Sequence, residues 1–210
     1  MSRELILGRV RTALNRSAGQ AAPPPPLPQL TVPDVPVAHR IATFLAAIER
    51  LNGKTYLAQS KEDARAYAER LIGGRPAVAS NAPYLAECGI TGLAGVESGF
   101  TDRVELRERC ATFPLGITSA QFGLADTGSL VMLSSHEEAR LISLLPPVHL
   151  AVLPRERLLT GLDELFTLIP LPAERTSGMW FITGPSRTAD IEQFLVRGVH
   201  GPGEIHVVVV

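Results

Sequence analysis

An α/β fold, with an open and largely parallel sheet sandwiched by helices, is what this sequence predicts. Three observations carry that prediction. Strand-like apolar runs alternate with segments of helical periodicity over most of the chain. No internal repeat interrupts the alternation. Residues 180–210 read as a complete β-α-β unit: an apolar run from Trp180, a polar turn over 183–190, a short helical-periodic run, a glycine stop over 198–203, and a closing strand from Glu204 to Val210. In such a unit the polar turn lies at the carboxyl end of a strand and the amino end of a helix, where α/β proteins place their chemistry.

The elements follow in order. Residues 1–15 read as a helix with Leu5, Ile6, Val10, Ala13 and Leu14 on one stripe. Residues 16–36 form a linker; its stretch 21–36 holds seven of the 17 prolines and has polyproline character. The domain proper is residues 37–210. It opens with a helix over 38–52 stopped by Gly53, a strand over 55–59, and a helix from Ser60 to Leu71 with Glu62 and Asp63 in its first turn. A short strand over 76–80, a helical turn over 82–88, a glycine-punctuated irregular stretch and a helix over 103–112 come next. Thr118 to Gln121 fits a capping box and predicts a short helix. Residues 123–126 and 130–133 read as strands around a Thr127-Gly128 turn. Ser135 to Glu138 is a second capping box, predicting a helix that the prolines at 146 and 147 stop. A buried strand over 148–153 and a helix over 155–168, interrupted near Gly161, precede the terminal unit.

Composition excludes several classes. Twenty Lys and Arg against 21 Asp and Glu give a net charge of −1, so no basic stripe points to nucleic acid. No apolar run approaches the roughly 20 residues that span a bilayer, and a secretory signal is not expected. Cys88 and Cys110 are the only cysteines and form no CxxC pair, too few for a cysteine-held iron–sulfur cluster within these residues. Two reduced, buried thiols in a cytoplasmic protein are the expectation. No HExxH or comparable spacing marks a metal site, and neither G-x-G-x-x-G nor a Walker A segment is present.

Three places can carry chemistry. In the turn Gly184-Pro185-Ser186-Arg187-Thr188, free backbone N–H groups of a following helix can hold an anion with Arg187 as counter-charge. Asp190 and Glu192 would compete with that anion, and Ser186 or Thr188 can serve simply as helix caps. In Asp126-Thr127-Gly128-Ser129, a carboxylate stands beside hydroxyls and backbone donors, as an acid–base site needs and as a polar hairpin tip also shows. His200, between Gly198 and Pro202, can titrate near neutrality or anchor its loop. A Ser186–His200–Asp190 triad lacks the G-x-S-x-G elbow.

Residues 116–129, then Arg140 to Pro146 with His149, then 184–192 and 198–202, together resemble the lactate utilization protein C family, whose domain is called LUD. The turn departs from the family's commoner residues, with Asp126 and Ser129 where Glu and Thr are usual. The resemblance implies a fold similar to the ribose-5-phosphate isomerase and CoA-transferase superfamily. It implies an accessory subunit in a three-component oxidation of L-lactate to pyruvate. On that reading no cofactor sits in this chain, and iron–sulfur clusters belong to partner subunits. The two polar turns would meet at one sheet edge, as a ligand site or docking surface. The rival is a stand-alone enzyme on a small phosphorylated or CoA-linked substrate, with Asp126 as base and Thr127, Ser129 and Arg187 holding the anion. A third reading is an interaction module whose motifs only stabilise turns.

Overall fold

A computed structural model describes residues 2–21, 29–189 and 195–210. Helix α1 (Arg3–Ala13) is capped by Ser2, whose Oγ accepts from Leu5 N. It buries no residue, and its stripe of Leu5, Ile6, Val10 and Leu14 lies exposed. After the linker come α2 (Val37–Arg50), β1 (Lys54–Leu57), α3 (Lys61–Ile72), β2 (Ala77–Ala79), α4 (Pro83–Glu87), β3 (Val96–Glu97), α5 (Arg103–Thr112) and β4 (Leu115–Ser119). The chain continues through β5 (Phe122–Leu124), β6 (Ser129–Leu133), a 3₁₀ turn (Arg140–Ser143), β7 (Val148–Leu153), β8 (Leu158–Leu159) and α6 (Leu162–Leu168). It ends with β9 (Met179–Ile182), β10 (Arg187–Ala189), β11 (Leu195–Arg197) and β12 (Glu204–Val209).

The main sheet has six strands in the order β1-β12-β7-β4-β2-β3, all parallel. Its central strands are buried on both faces, which is why they read as unbroken apolar runs. One face packs Ala77, Leu115, Ile117, Leu150 and Val208 against α3 and α4. The other packs Ala151, Leu153, Val207 and Val209 against Phe44 and Ile48 of α2 and against Leu130, Met132 and Trp180 of a second sheet. That second sheet runs β8-β5-β6-β9, and Leu165 near its far face closes a third apolar layer.

Local chemistry explains the helices that were legible. Ser60 Oγ accepts from Asp63 N at 3.2 Å, and Asp63 reaches back to Gln59 N at 2.9 Å and Tyr56 OH at 2.7 Å. Gly73, at φ +55, ends α3 in the left-handed conformation that suits glycine. Ser60→Ala should cost about 1 kcal/mol, lowering the melting temperature by roughly 2–4 °C. An unchanged melt would show that this cap carries no stability.

Four expectations are corrected. The segment 118–121 is not a helix: Thr118 and Ser119 lie in β4, fully enclosed between β2 and β7, so sheet pairing overrides the capping pattern. Ser135 Oγ does accept from Glu137 N and Glu138 N, but only the 3₁₀ turn follows, and Glu138 turns into the core. The segment 155–168 divides into a 3₁₀ turn, β8 and α6, because Leu158 and Leu159 pair with β5. The terminal unit is not β-α-β. Its first strand, β9, belongs to the second sheet, and β10 pairs antiparallel with β11 where the start of a helix was expected. Ser186 extends that hairpin: its N–H donates to Pro202 O and its carbonyl accepts from Gly198 N, which leaves no free helical donors there.

Candidate functional site

The two polar corners do adjoin, through β6 and β9. Ser129 Oγ donates to Thr127 Oγ1 at 2.9 Å and lies 2.8 Å from Thr183 Oγ1. Both corners press on the end of α2. A Cβ on Gly128 would lie 2.8 Å from Ile48 N, and one on Gly184 would lie 2.8 Å from Leu51 Cβ. Glycine is required at Gly128 for this approach and for φ +67. The shared rim is therefore filled by Ala47, Ile48 and Leu51.

Arg187 donates to the carbonyl of Leu51. Asp126 faces elsewhere, into a cavity of about 340 Å³ lined by Thr31, Pro33, Thr160, Gly161 and Asp163. The described residues thus do not place Asp126 and Arg187 around one cleft, because α2 and Gly161 claim the two side chains separately. Neither is there a helix N-terminus at Gly184 and Ser186 to hold an anion, since Arg187 and Thr188 are in a strand. Ser186 Oγ accepts from His200 N at 3.3 Å, so His200 anchors its loop by its backbone while its ring is exposed. Asp190 lies outside the described residues.

A different cavity has the position and chemistry of a site. The main sheet has a switch point between neighbours β2 and β4. After β2 the chain leaves through α4, on the α3 face, toward β3. After β4 it leaves through the second sheet and the 3₁₀ turn, whose Ile142 packs with Val78 and Cys110 on the opposite face, toward β7. The crevice outside the carboxyl ends of such strands is where open α/β sheets bind ligands. Here it holds a cavity of about 270 Å³, lined by Tyr84 and Glu87 beyond β2, Ser119 and Gln121 at the end of β4, Glu138, and Arg157 beyond β7.

Glu138 is 1 % exposed. Its Oε2 accepts from Ser80 Oγ at 2.8 Å and from Ser119 N at 3.2 Å, while Oε1 is buried without a partner. Burial pushes its carboxyl up to about 8, against the lowering effect of those two hydrogen bonds. The group is thus chiefly a neutral acid at pH 7. Because Oε2 receives both donors, the proton belongs on Oε1. Arg157 Nη1 donates to Gln121 Oε1 at 3.1 Å. Glu87 is neutralised by Lys61 at 2.6 Å, and Glu137 stands exposed at the rim. No local sequence signal marks Glu138 as special. Its capping-box spacing points to an exposed helix position, and only the tertiary fold buries it.

Two further polar clusters sit inside the sheet. His149 is fully buried on β7, with Nε2 2.7 Å from Thr118 Oγ1 and Nδ1 without a partner. Burial holds its imidazole down to about 3, so it is neutral. At the amino edge, His206 Nδ1 lies 2.6 Å from Tyr67 OH and Nε2 lies 2.6 Å from Glu204 Oε1, which also takes Lys54 Nζ at 2.6 Å. Burial lowers the His206 pKa, so the neutral ring donates from Nε2 to Glu204 and accepts from Tyr67. This edge lies away from the carboxyl-end crevice and braces β1 against β12. Among the described residues no group of three or more His, Cys, Asp or Glu side chains is arranged to hold a metal ion.

Known proteins share this architecture and sequence. A lactate utilization protein C of Halalkalibacterium halodurans is 40% identical over 106 residues, 49% of this chain and 46% of that protein. One from Anoxybacillus flavithermus is 31% identical over 145 residues, 66% of this chain and 64% of that protein. The matched stretch thus spans between about half and two thirds of these relatives' own length. The crystal structure of a DUF162 family protein from Deinococcus radiodurans shares the fold, with TM-score 0.64 at 14% identity over 84% of this chain and 99% of that one. The LUD domain model matches residues 41–210. That match covers the larger part of the sequence and runs through every strand of both sheets, so the chain belongs to the LUD domain family.

Proposed function

We propose that this chain serves lactate utilization, as a subunit of an L-lactate to pyruvate oxidation system that carries no redox cofactor itself and works beside iron–sulfur subunits in the cytoplasm. The observation that carries this reading is the likeness to relatives named lactate utilization protein C. The structure supports it in two ways. The sheet-edge cavity around Glu138, about 270 Å³, is of a size that suits a small molecule. The only two thiols are buried in different cores, Cys88 at the end of α4 packed against α3 and Cys110 on α5. Burial pushes both up to about 11, away from the thiolate that a cluster needs. No described helix is long and apolar enough to cross a membrane.

The test is genetic and biochemical. Deletion should slow growth on L-lactate, and a pulldown of the full chain from lactate-grown cells should recover iron–sulfur proteins. Normal growth together with no such partner would overturn the reading. A smaller expectation concerns the thiols. Neither cysteine should react with iodoacetamide until the protein is unfolded, and rapid labelling of the native chain would remove the argument from burial.

A further inference from the structure

We propose that the chain forms a two-fold dimer by exchanging α1, each helix laying its apolar stripe on the open outer face of the other copy's second sheet, beside α6. The contact needs no ligand and goes beyond the functional reading above.

The receiving surface follows from the dimensions of the sheet. Register places Phe122, Val131 and Phe181 across one face, with Leu133 and Met179 next to them. Four strands about 4.8 Å apart make a face roughly 15–20 Å wide, and a helix is about 10 Å across. Among the described residues the helix that packs on this face is α6, through Leu165 and Ile169. Val131 is fully buried beneath it, whereas Phe181, its partner on the edge strand β9, is 39 % exposed. Leu168 at the end of α6 and Leu171 beyond it are 46 % and 59 % exposed. An apolar strip therefore lies open along β9, and a second helix beside α6 would complete the layer.

The occupant is the helix that has no layer of its own. α1 buries no residue, and Leu5, Ile6, Val10 and Leu14 are exposed along it. A helix of 11 residues is marginal in water without a surface to pack on. Its tether ends in the same layer as the open strip. Thr31 N donates to Asp163 Oδ2 of α6 at 2.9 Å, and Arg40 holds Val35 O at 2.8 Å and Glu164 at 3.1 Å. Two observations send the helix to a second copy. Five prolines between residues 23 and 28 give the tether the composition of a stiff spacer, which carries a helix away from its own body. Through residue 16, four arginines against one glutamate give a charge of +3, which leaves −4 on the rest of the chain. Opposite signs draw each helix to another copy's body, while an anionic lipid surface would repel that body. Exchange in both directions doubles the area of one short helix contact, toward the roughly 1,000 Å² that a specific interface needs.

The experiment is sedimentation equilibrium of the purified full chain and of two charge variants. The wild type should sediment at twice the mass of the chain at micromolar concentration. Ile6→Glu with Val10→Glu on α1, and separately Phe181→Glu on β9, each drive a charge into both exchanged contacts. Each broken contact should cost about tenfold, so either variant alone should dimerise about a hundredfold more weakly. An equal mixture of the two should weaken only about tenfold, because α1 of the Phe181→Glu chain still meets an intact sheet on the other variant. α1 buries nothing, so its variant leaves the domain folded. If melting curves show Phe181→Glu to be unfolded, Phe181→Ser takes its place. A monomeric wild type, variants that dimerise as the wild type does, or a mixture no tighter than its separate components would each overturn the inference. A monomer whose α1 resists proteolysis would place the helix on its own chain. A monomer that co-sediments through α1 with phosphatidylserine–phosphatidylcholine vesicles would place it on lipid. Either result would equally overturn the exchange.

Discussion

Gly116→Ala is expected to destabilise the protein by about 3 kcal/mol or more and to lower its melting temperature by roughly 6–12 °C. Gly116 lies on β4, paired with His149 of β7, and the 3₁₀ turn crosses directly over it. A Cβ there would meet the carbonyl oxygen of Ile142 at 2.1 Å and Pro146 Cγ at 3.0 Å. The first contact is backbone, so no side-chain rotation relieves it, and the turn over 140–143 must move. That turn follows Glu138 by two residues. The same substitution should therefore loosen the Ser80–Glu138 contact. A variant that melts within about 2 °C of the wild type would show that the turn rides freely over β4.

The second large effect is on stability as a function of pH. Glu138 is raised by burial from an ordinary 4.5 to about 8 in the folded protein. Between those values the unfolded chain has lost the proton and the folded chain keeps it. Its contribution is complete below about pH 4.5 and is lost as pH rises toward 8. His149 is lowered by burial from 6.5 to about 3. Between those values the unfolded chain carries the proton and the folded chain does not. Its contribution is complete above 6.5 and is lost as pH falls toward 3.

From 4.5 to 6.5 the two slopes have opposite sign and cancel. The result is a plateau with losses on both sides, each amounting to a few kcal/mol. Asp63 and Asp102, held low by backbone hydrogen bonds, steepen the acid side. Around Glu138 the other charged groups are Arg157, Glu137 and the Lys61–Glu87 pair. Glu138→Gln should keep the acid-side loss and abolish the decline between pH 6.5 and 8. Melting temperatures measured from pH 4 to 9 check this. A wild-type protein equally stable at 6.5 and 8, or a variant that declines as steeply, would show that Glu138 is ionised in the folded state.

How much of this was legible can be argued element by element. Helices α2 and α3 were readable because their signals are local: Gly53 and Gly73 as stops, Ser60 as a cap. The β5–β6 hairpin was readable from Gly128 between two apolar runs, and β7 and β12 from their length of unbroken aliphatic residues. The failures share a cause. Thr118 to Gln121 and Ser186 to Thr188 carry good capping chemistry, yet pairing partners outside each segment claim them for strands, β7 in one case and the hairpin partner at residues 195–198 in the other. The expected corner at Asp126 and Gly184 was correctly placed in space through β6 and β9, but α2 fills it.

The sequence by itself determined the α/β class, the likeness to its family, and the scarcity of thiols, because period, punctuation and composition are properties of short segments. The tertiary structure alone decided which polar side chain is withheld from water. Glu138 and Arg157 are separated by 19 positions and are brought to one crevice only by the order of strands in the sheet. Burial, which turns an ordinary glutamate into a neutral acid near pH 7, is a property of that packing and leaves no trace in the residues on either side.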